Sequence, residues 1–333
     1  FHEMLNKEVG PDKITILHAL RACACVSDGR VIHSIVMNNG LDTDTIVTNA
    51  MISMYGQCWS SHDAQTTFAQ SRKPNIITWN AMISACVHND LSEQALCLFW
   101  EIQQQGAKVD NVTYVSTLDA CIAVEDLAWG KRLHVYVLEA RFEKDVSVGT
   151  TLINMYGKCG NLEDACIVFN RVPTQDVVSW NVLIGAYSEH DKDKDILELF
   201  EQMQCKGTKP TTTTFVYLLK ACKKLVKTYN GFCIQALIIE CGFEENLYIG
   251  SALVGMYAEW GCVSNASIVF QRIPQLDIVT WTSLMSGYIE HGYCTEALHL
   301  FQYMRKGGLE PTLISISCAL HARMKMSALE EGR

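Results

Sequence analysis
The residues of this chain best suited to chemistry are its fifteen cysteines and ten histidines. Metal chelation needs Cys or His at short ligand spacings, and C-x-x-C occurs nowhere; Cys23 and Cys25 form the one C-x-C. His33 and His134 stand 101 residues apart, which invites an acid–base or metal reading, yet neither has another His or Cys at ligand spacing. Packing or a helix-to-helix hydrogen bond is the expected use. Cys121 and Cys222, separated by the same interval, are expected as small core residues. An H-x-E with a following C-x-x-C, which would hold the zinc of a nucleobase deaminase, is absent, as are G-x-x-x-x-G-K and G-x-S-x-G. No catalytic centre, metal or cofactor is expected, and the odd number of scattered thiols suits a reducing compartment.

The interval of 101 residues also separates Trp79, Trp180 and Trp281; Tyr55, Tyr156 and Tyr257; Phe68, Phe169 and Phe270; Phe99, Phe200 and Phe301; and Gly106, Gly207 and Gly308. Fixed spacing of this kind marks a repeat array. Each interval divides into 35, 35 and 31 residues. Trp180, Leu183, Ile184 and Tyr187 lie at i, i+3, i+4 and i+7, and after a polar break Ile196, Leu199, Phe200 and Met203 do the same. Each unit is therefore predicted to be two short amphipathic helices. Ser179, Thr78 and Thr280 sit where a helix N-cap belongs, and the second helix is predicted to end near Gly207, with Pro210 beyond it. One such pair cannot cover its own apolar stripe, so neighbours must stack.

The units run 13–44, 45–75, 76–110, 111–145, 146–176, 177–211, 212–246, 247–277 and 278–312, with partial units at 1–12 and 313–333. The first full unit is three residues short around "CVSDGR". Phe1, Met4 and Pro11 match Phe200, Met203 and Pro210, and "LEEGR" matches "LAWGK" of Leu127 to Lys131, so both ends are expected to fall inside second helices.

A hydrophobic content of 49% over 333 residues demands a large buried surface and excludes a mostly disordered chain. The formal net charge of −9 and a pI near 5.6 argue against a generic polyanion binder. No run of 18 apolar residues occurs, so no membrane span is predicted. The first residues carry neither a signal-peptide h-region nor transit-peptide enrichment in Arg and Ser.

The stretches "SWNVLIGAY", "NMYGKCGNLEDACIVF" (Asn154 to Phe169) and "LFEQMQCKGTKP" resemble the pentatricopeptide repeat family. The alternation of 35-residue P-type, 35-residue L-type and 31-residue S-type units resembles its PLS subfamily of land plants, over essentially the whole chain. The resemblance implies an all-α, right-handed α-solenoid superhelix that binds single-stranded RNA in a mitochondrion or chloroplast, one base per repeat, along a groove lined by the first helices. In the family, base choice rests on the fifth and last residues of a unit. Here those pairs are Asn49 with Asn75, Asn80 with Asp110, Thr150 with Asp176, Asn181 with Thr211, Ser251 with Asp277, and Thr282 with Thr312. The L-type units offer Leu17 with Asp44, Val115 with Asp145 and Val216 with Asn246; an aliphatic fifth residue cannot read a base edge, so these units space rather than read. The second residues Ile46, Ile77, Val178 and Val279 resemble the family's aliphatic wedges, between which bases stack.

An ionised Asp only accepts and so suits the imino N–H of uracil or guanine, whereas Asn can donate to the bare ring nitrogen of cytosine or adenine. A short Ser or Thr at the fifth position leaves room for a purine, and the longer Asn reaches a pyrimidine. Under the family's rule, units 13–44 through 278–312 are expected to read 5′-n-C-U-n-G-Y-n-G-R-3′, with Y a pyrimidine, R a purine and n unread. Asn, Ser, Thr and Asp are also ordinary capping and turn residues. Six polar fifth residues in P- and S-type units against three aliphatic ones in L-type units favour a reading groove. The fifth residues are expected in line on the concave surface, with Asn80 and Thr150 solvent-accessible; a β-sheet, or burial of Asn80 and Asn181 between layers, would sink the reading. At the thirteenth position Lys158 and Lys224 fit the family's phosphate-side cations, while Glu189, Glu259 and Glu290 oppose them. Trp59 departs from the glycine matched by Gly160 and Gly261, and Trp260 stands where Cys159 does.

The expected function is sequence-specific single-stranded RNA binding in organellar RNA processing, with C-to-U editing as its setting and a deaminase or other editing factor as partner. The alternatives are a protein-binding solenoid, or the targeting part of an editing deaminase whose catalytic domain lies outside these residues.

Overall fold
The computed structural model describes residues 1, 4, 10–71, 74–225 and 228–331. Among these residues the regular elements are all α-helices. Helices begin at Lys13, Thr45, Ile76, Asn111, Val146, Val177, Thr212, Leu247, Ile278 and Leu313, the residues that open the expected units. A second helix follows each of the first nine. In the 31-residue units it is ten residues long (Ser61–Gln70, Leu162–Arg171, Val263–Arg272), against thirteen in the 35-residue units. That difference accounts for most of the shorter period.

The first helices start where they do because an Asp or Asn precedes them. Asp44, Asn75, Asp110, Asp145, Asp176, Asn246 and Asp277 each accept a bond from a backbone N–H in the first turn. This corrects the expected N-caps: Thr78, Ser179 and Thr280 lie three residues further on, inside the helix. Asn75 has extended backbone angles (φ −91°, ψ 175°) and closes a reciprocal capping box with Thr78, as Asp110 does with Thr113. The second helix Asp193–Cys205 ends just before Gly207, which takes φ +72°.

The chain forms two compact bodies, Phe1–Gln175 and Asp176–Arg333. Within each, neighbouring first helices pack side by side with second helices resting against them. Trp79 meets Phe68 edge-on at 4.8 Å, and Trp281 meets Phe270 at 4.7 Å. Adjacent first helices come close enough that a Cβ on Gly56 would lie 2.7 Å from Cβ of Ala85. In the last cycle the partners are exchanged: a Cβ on Gly287 would lie 2.4 Å from Cβ of Ala258.

The end of a second helix expected in the partial unit 1–12 falls largely on residues 2, 3 and 5–9, outside the described residues. At the other end the expected break before a second helix is absent, because Leu313–Glu331 is one helix of nineteen residues. In the unit 111–145 the corresponding break has Glu125 at φ +51° and Asp126 capping Ala128 and Trp129. Ala328 stands in the place of Asp126 and offers no acceptor.

Candidate nucleic-acid interface
The sharpest geometry at a fifth residue surrounds Asn80. Its Nδ2 donates to Oδ1 of Asp110 at 3.0 Å, and its Oδ1 accepts from the Thr113 hydroxyl at 2.7 Å. Asp110 Oδ1 also accepts from the Thr113 backbone N–H at 2.9 Å. Burial pushes the Asp110 carboxyl up, but the bonds from Thr113 and Asn80 outweigh it and hold its pKa below the ordinary value. The group is thus an ionised acceptor at neutral pH. These bonds close over Asn80 and leave it 8% exposed, which corrects the expectation that it is solvent-accessible. It is enclosed by polar partners at the starts of two first helices, and Asp110 is the more accessible of the two.

One cycle on, Asn181 donates to the Thr211 hydroxyl at 3.1 Å and accepts from Thr214 at 2.7 Å; it stays partly exposed. Ser251 reaches Asp277 at 3.4 Å and bonds Thr280. Asn49 and Asn75 are not joined directly, nor are Thr282 and Thr312. Asn49 Oδ1 is buried without a hydrogen-bond partner, and Asn75 is engaged with Thr78. Thr150 is partly exposed in the first body, and Asp176 caps Ser179 in the second. Thr282 turns its hydroxyl back to the carbonyls of Ile278 and Val279, and Thr312 caps Ser315. Leu17, Val115 and Val216, the L-type fifth residues, are partly buried.

The wedge positions are open to solvent: Ile46, Ile77, Val178 and Val279 are each 55–60% exposed. Ile14, Val112, Tyr248 and Ile314 share that position and are exposed as well, Tyr248 by 70%. These four follow from the unit register beyond the four clearest cases; Ser147 and Thr213 complete the row as its polar members. A cleft of about 350 Å³ opens between Ile46 and Ile77, with Leu17, Asn49, Ala50 and Met54 in its lining. Apolar side chains make up most of its walls, with Asn49, Ser53, Gln57 and Arg21 as the polar members, a mixture that suits a flat aromatic ring with polar edges.

Two lysines of the first helix Thr212–Leu225 are already engaged. Lys224 pairs with Asp191, and Lys223 lies 3.3 Å from Glu259. His33 and His134 make helix-to-helix bonds, Nδ1 to the hydroxyls of Tyr55 and Tyr156, at 2.8 Å each. Cys121 and Cys222 are fully buried. Trp59 adopts the left-handed φ of +57° that Gly160 and Gly261 use at their positions, and it leans on His88.

Stacked helical pairs with a repeated polar residue at the start of each first helix define an α-solenoid repeat protein. The PPR repeat family matches residues 74–123, 175–224 and 276–325, and its single repeat matches 150–176. The chain belongs to the pentatricopeptide repeat family. It is 32% identical to pentatricopeptide repeat-containing protein CRR2, chloroplastic, of Arabidopsis thaliana, over 99% of this chain and 52% of that protein. It is 31% identical to the mitochondrial protein At3g09040 of the same plant, over 100% of this chain and 32% of that one. The chain thus spans about a third to a half of these relatives. A crystal structure of the pentatricopeptide repeat protein PPR10 in complex with an 18-nt psaJ RNA element superposes with a TM-score of 0.73 at 18% identity, over 99% of this chain and 50% of that one. At that identity the likeness speaks for the fold.

Proposed function
We propose that this chain is a sequence-selective single-stranded RNA-binding module of the PLS type, acting in a chloroplast or mitochondrion. The observation that carries it is the alternation, along the first helices of each body, of exposed apolar second residues with polar nodes such as Asn80–Asp110 and Asn181–Thr211. Stacking on the first supplies affinity without base choice, and hydrogen bonding at the second supplies the choice. The organelle-directed names of the relatives and the RNA in the PPR10 crystal support the reading. So does the 35-35-31 alternation, which further suggests selection of C-to-U editing sites, with the deaminase supplied by a partner or by protein outside these residues.

With RNA parallel to the array, the chain prefers 5′-n-C-U-n-G-Y-n-G-R-3′. Asp110 accepts the imino proton of uracil at the third base. Asp110→Asn then replaces an acceptor by an amide that donates to cytosine, and the preference moves from U toward C by roughly 1–3 kcal/mol. Titrating nine-nucleotide RNAs that differ only at that base, at one salt concentration, reads the switch. Uniform loss of binding would make Asp110 a purely structural cap. A wild-type chain that ignores every RNA would favour the protein-binding solenoid, which the engaged lysines and the net charge of −9 also suit.

A further inference from the structure
Across all nine full units, the fifth residue agrees in chemical type with the third residue of the following unit. Polar fifth residues Asn49, Asn80, Thr150, Asn181, Ser251 and Thr282 are followed by Thr78, Thr113, Ser179, Thr214, Thr280 and Ser315. Aliphatic Leu17, Val115 and Val216 are followed by Val47, Val148 and Ile249. Capping does not require the hydroxyl. Val47, Val148 and Ile249 occupy the same helical position, and their backbone N–H groups still reach Asp44, Asp145 and Asn246 at 3.0–3.2 Å. Something beyond helix initiation therefore selects Thr or Ser where the preceding unit carries a polar fifth residue.

We propose that Thr113, Thr214 and Thr280 are positioning residues for base choice, each fixing the fifth residue of the preceding unit from across the unit boundary. The proposal rests on the RNA-binding reading above and adds a third member to its two-residue sites. All three hydroxyl residues are fully buried and out of reach of a base, so they act through the side chain they hold. At Asn80 the consequence is specific. A carboxylate only accepts, so the amide nitrogen must face Asp110, and the amide oxygen then lies 2.7 Å from the Thr113 hydroxyl, whose single proton it shares with Asp110 Oδ1 at 2.8 Å. Both ends of the amide are pinned, in one orientation, before RNA arrives. Thr214 holds the Asn181 oxygen at the same distance, and Thr280 bonds Ser251. Asn49 is the contrasting case: Thr113 and Thr280 reach both their own cap and the preceding fifth residue, whereas Thr78 bonds its cap Asn75 and Asn49 Oδ1 is left buried without a partner. Removing the Thr113 hydroxyl creates the same orphan at Asn80, which regains a partner only by rotating away from Asp110.

The test compares the wild type with Thr113→Val and Thr113→Ser, using nine-nucleotide RNAs carrying U or C at the third base. Natural valine at this position in Val47 and Val148 makes Thr113→Val compatible with the fold, and a melting curve checks it. The expected result is that Thr113→Val loses a roughly tenfold U-over-C ratio while its affinity for the C-bearing RNA holds, and that Thr113→Ser restores the ratio. An unchanged ratio in Thr113→Val, or equal weakening of both RNAs, overturns the proposal while leaving RNA binding standing. A wild type that binds neither RNA overturns the RNA-binding reading and this proposal with it. If Thr113→Val melts early, Thr214→Val carries the same test at the sixth base, as pyrimidine over purine; an unchanged ratio there is equally decisive against it.

Discussion
The two bodies repeat one pattern at 101 residues, and their differences fall into two kinds. Where packing is tight, a change on one side is matched on the other: Gly56 faces Ala85 in the first body, and Ala258 faces Gly287 in the second. His33 and His134 bond tyrosines in the first body, and Gln235 accepts from Tyr257 at 2.6 Å in the second. At the last residue of a node no such matching occurs. Asn80 and Asn181 are equivalent, and so are Thr113 and Thr214, yet Asp110 becomes Thr211 and a charged partner becomes a neutral one. Packing constrains the sum of two side chains, whereas a node that waits for an outside partner is free to vary. That contrast separates scaffold from recognition without reference to any relative.

The largest effect should come from breaking a matched pair. Gly287→Ala places a Cβ 2.4 Å from that of Ala258 and should cost about 1–3 kcal/mol in denaturant unfolding. Adding Ala258→Gly should recover most of it, since the double variant restores the arrangement of Gly56 and Ala85. A neutral Gly287→Ala, or a double variant no better than the single, would remove steric compensation as the explanation.

Thr211→Asp comes next. It gives the second body the node of the first, and the sixth base should change from either pyrimidine toward U, at the lower end of roughly 1–3 kcal/mol because Asn181 is less enclosed than Asn80. Competition between RNAs with U and C at that base measures it; equal binding of the two would break the equivalence of the nodes.

The wedge row offers a smaller exchange. Ser147 and Tyr248 occupy equivalent second positions. Ser147→Tyr should tighten, and Tyr248→Ser weaken, binding of every nine-nucleotide RNA alike, by about 1 kcal/mol. Base-dependent changes at either site would mean that the row reads sequence.

Much of this was legible in the residues. Helix starts followed from the period, although the cap falls three residues earlier than expected, because Ser179, Thr78 and Thr280 are themselves good cappers and only backbone angles separate cap from third helical residue. The burial of Asn80 was not legible, because it depends on Thr113 from the next unit closing over it. The unbroken helix Leu313–Glu331 was missed because repeat matching carries a break forward wherever its neighbours have one, while the break itself needs the acceptor that Asp126 supplies and Ala328 lacks.

The least effect concerns pH, and it compares the histidines with Gln235. Gln Oε1 can only accept, so Tyr257 donates to it; the same direction at His33 and His134 requires neutral rings that carry their proton on Nε2. Their tyrosines stay protonated, because burial pushes the Tyr55 and Tyr156 hydroxyls up to about 12. Burial lowers the His33 pKa against the opposing pull of Asp63 and Asp42; at His134 burial and Arg171 lower it against Asp164. A histidine whose folded pKa lies below its unfolded value near 6.5 stabilises the fold fully above that value. The contribution is lost as pH falls through 6.5 toward the folded pKa, because the unfolded chain takes up the proton first. Unfolding midpoints should therefore drop between pH 7.5 and 5.5, by less than about 1 kcal/mol in total once solvent screening of two part-buried rings is allowed for. The double variant His33→Gln/His134→Gln copies the second body and should flatten that slope while matching the wild type above pH 7. An equal slope in both proteins would show that the rings titrate alike folded and unfolded, and that the exchange of histidine for glutamine preserves only a hydrogen bond.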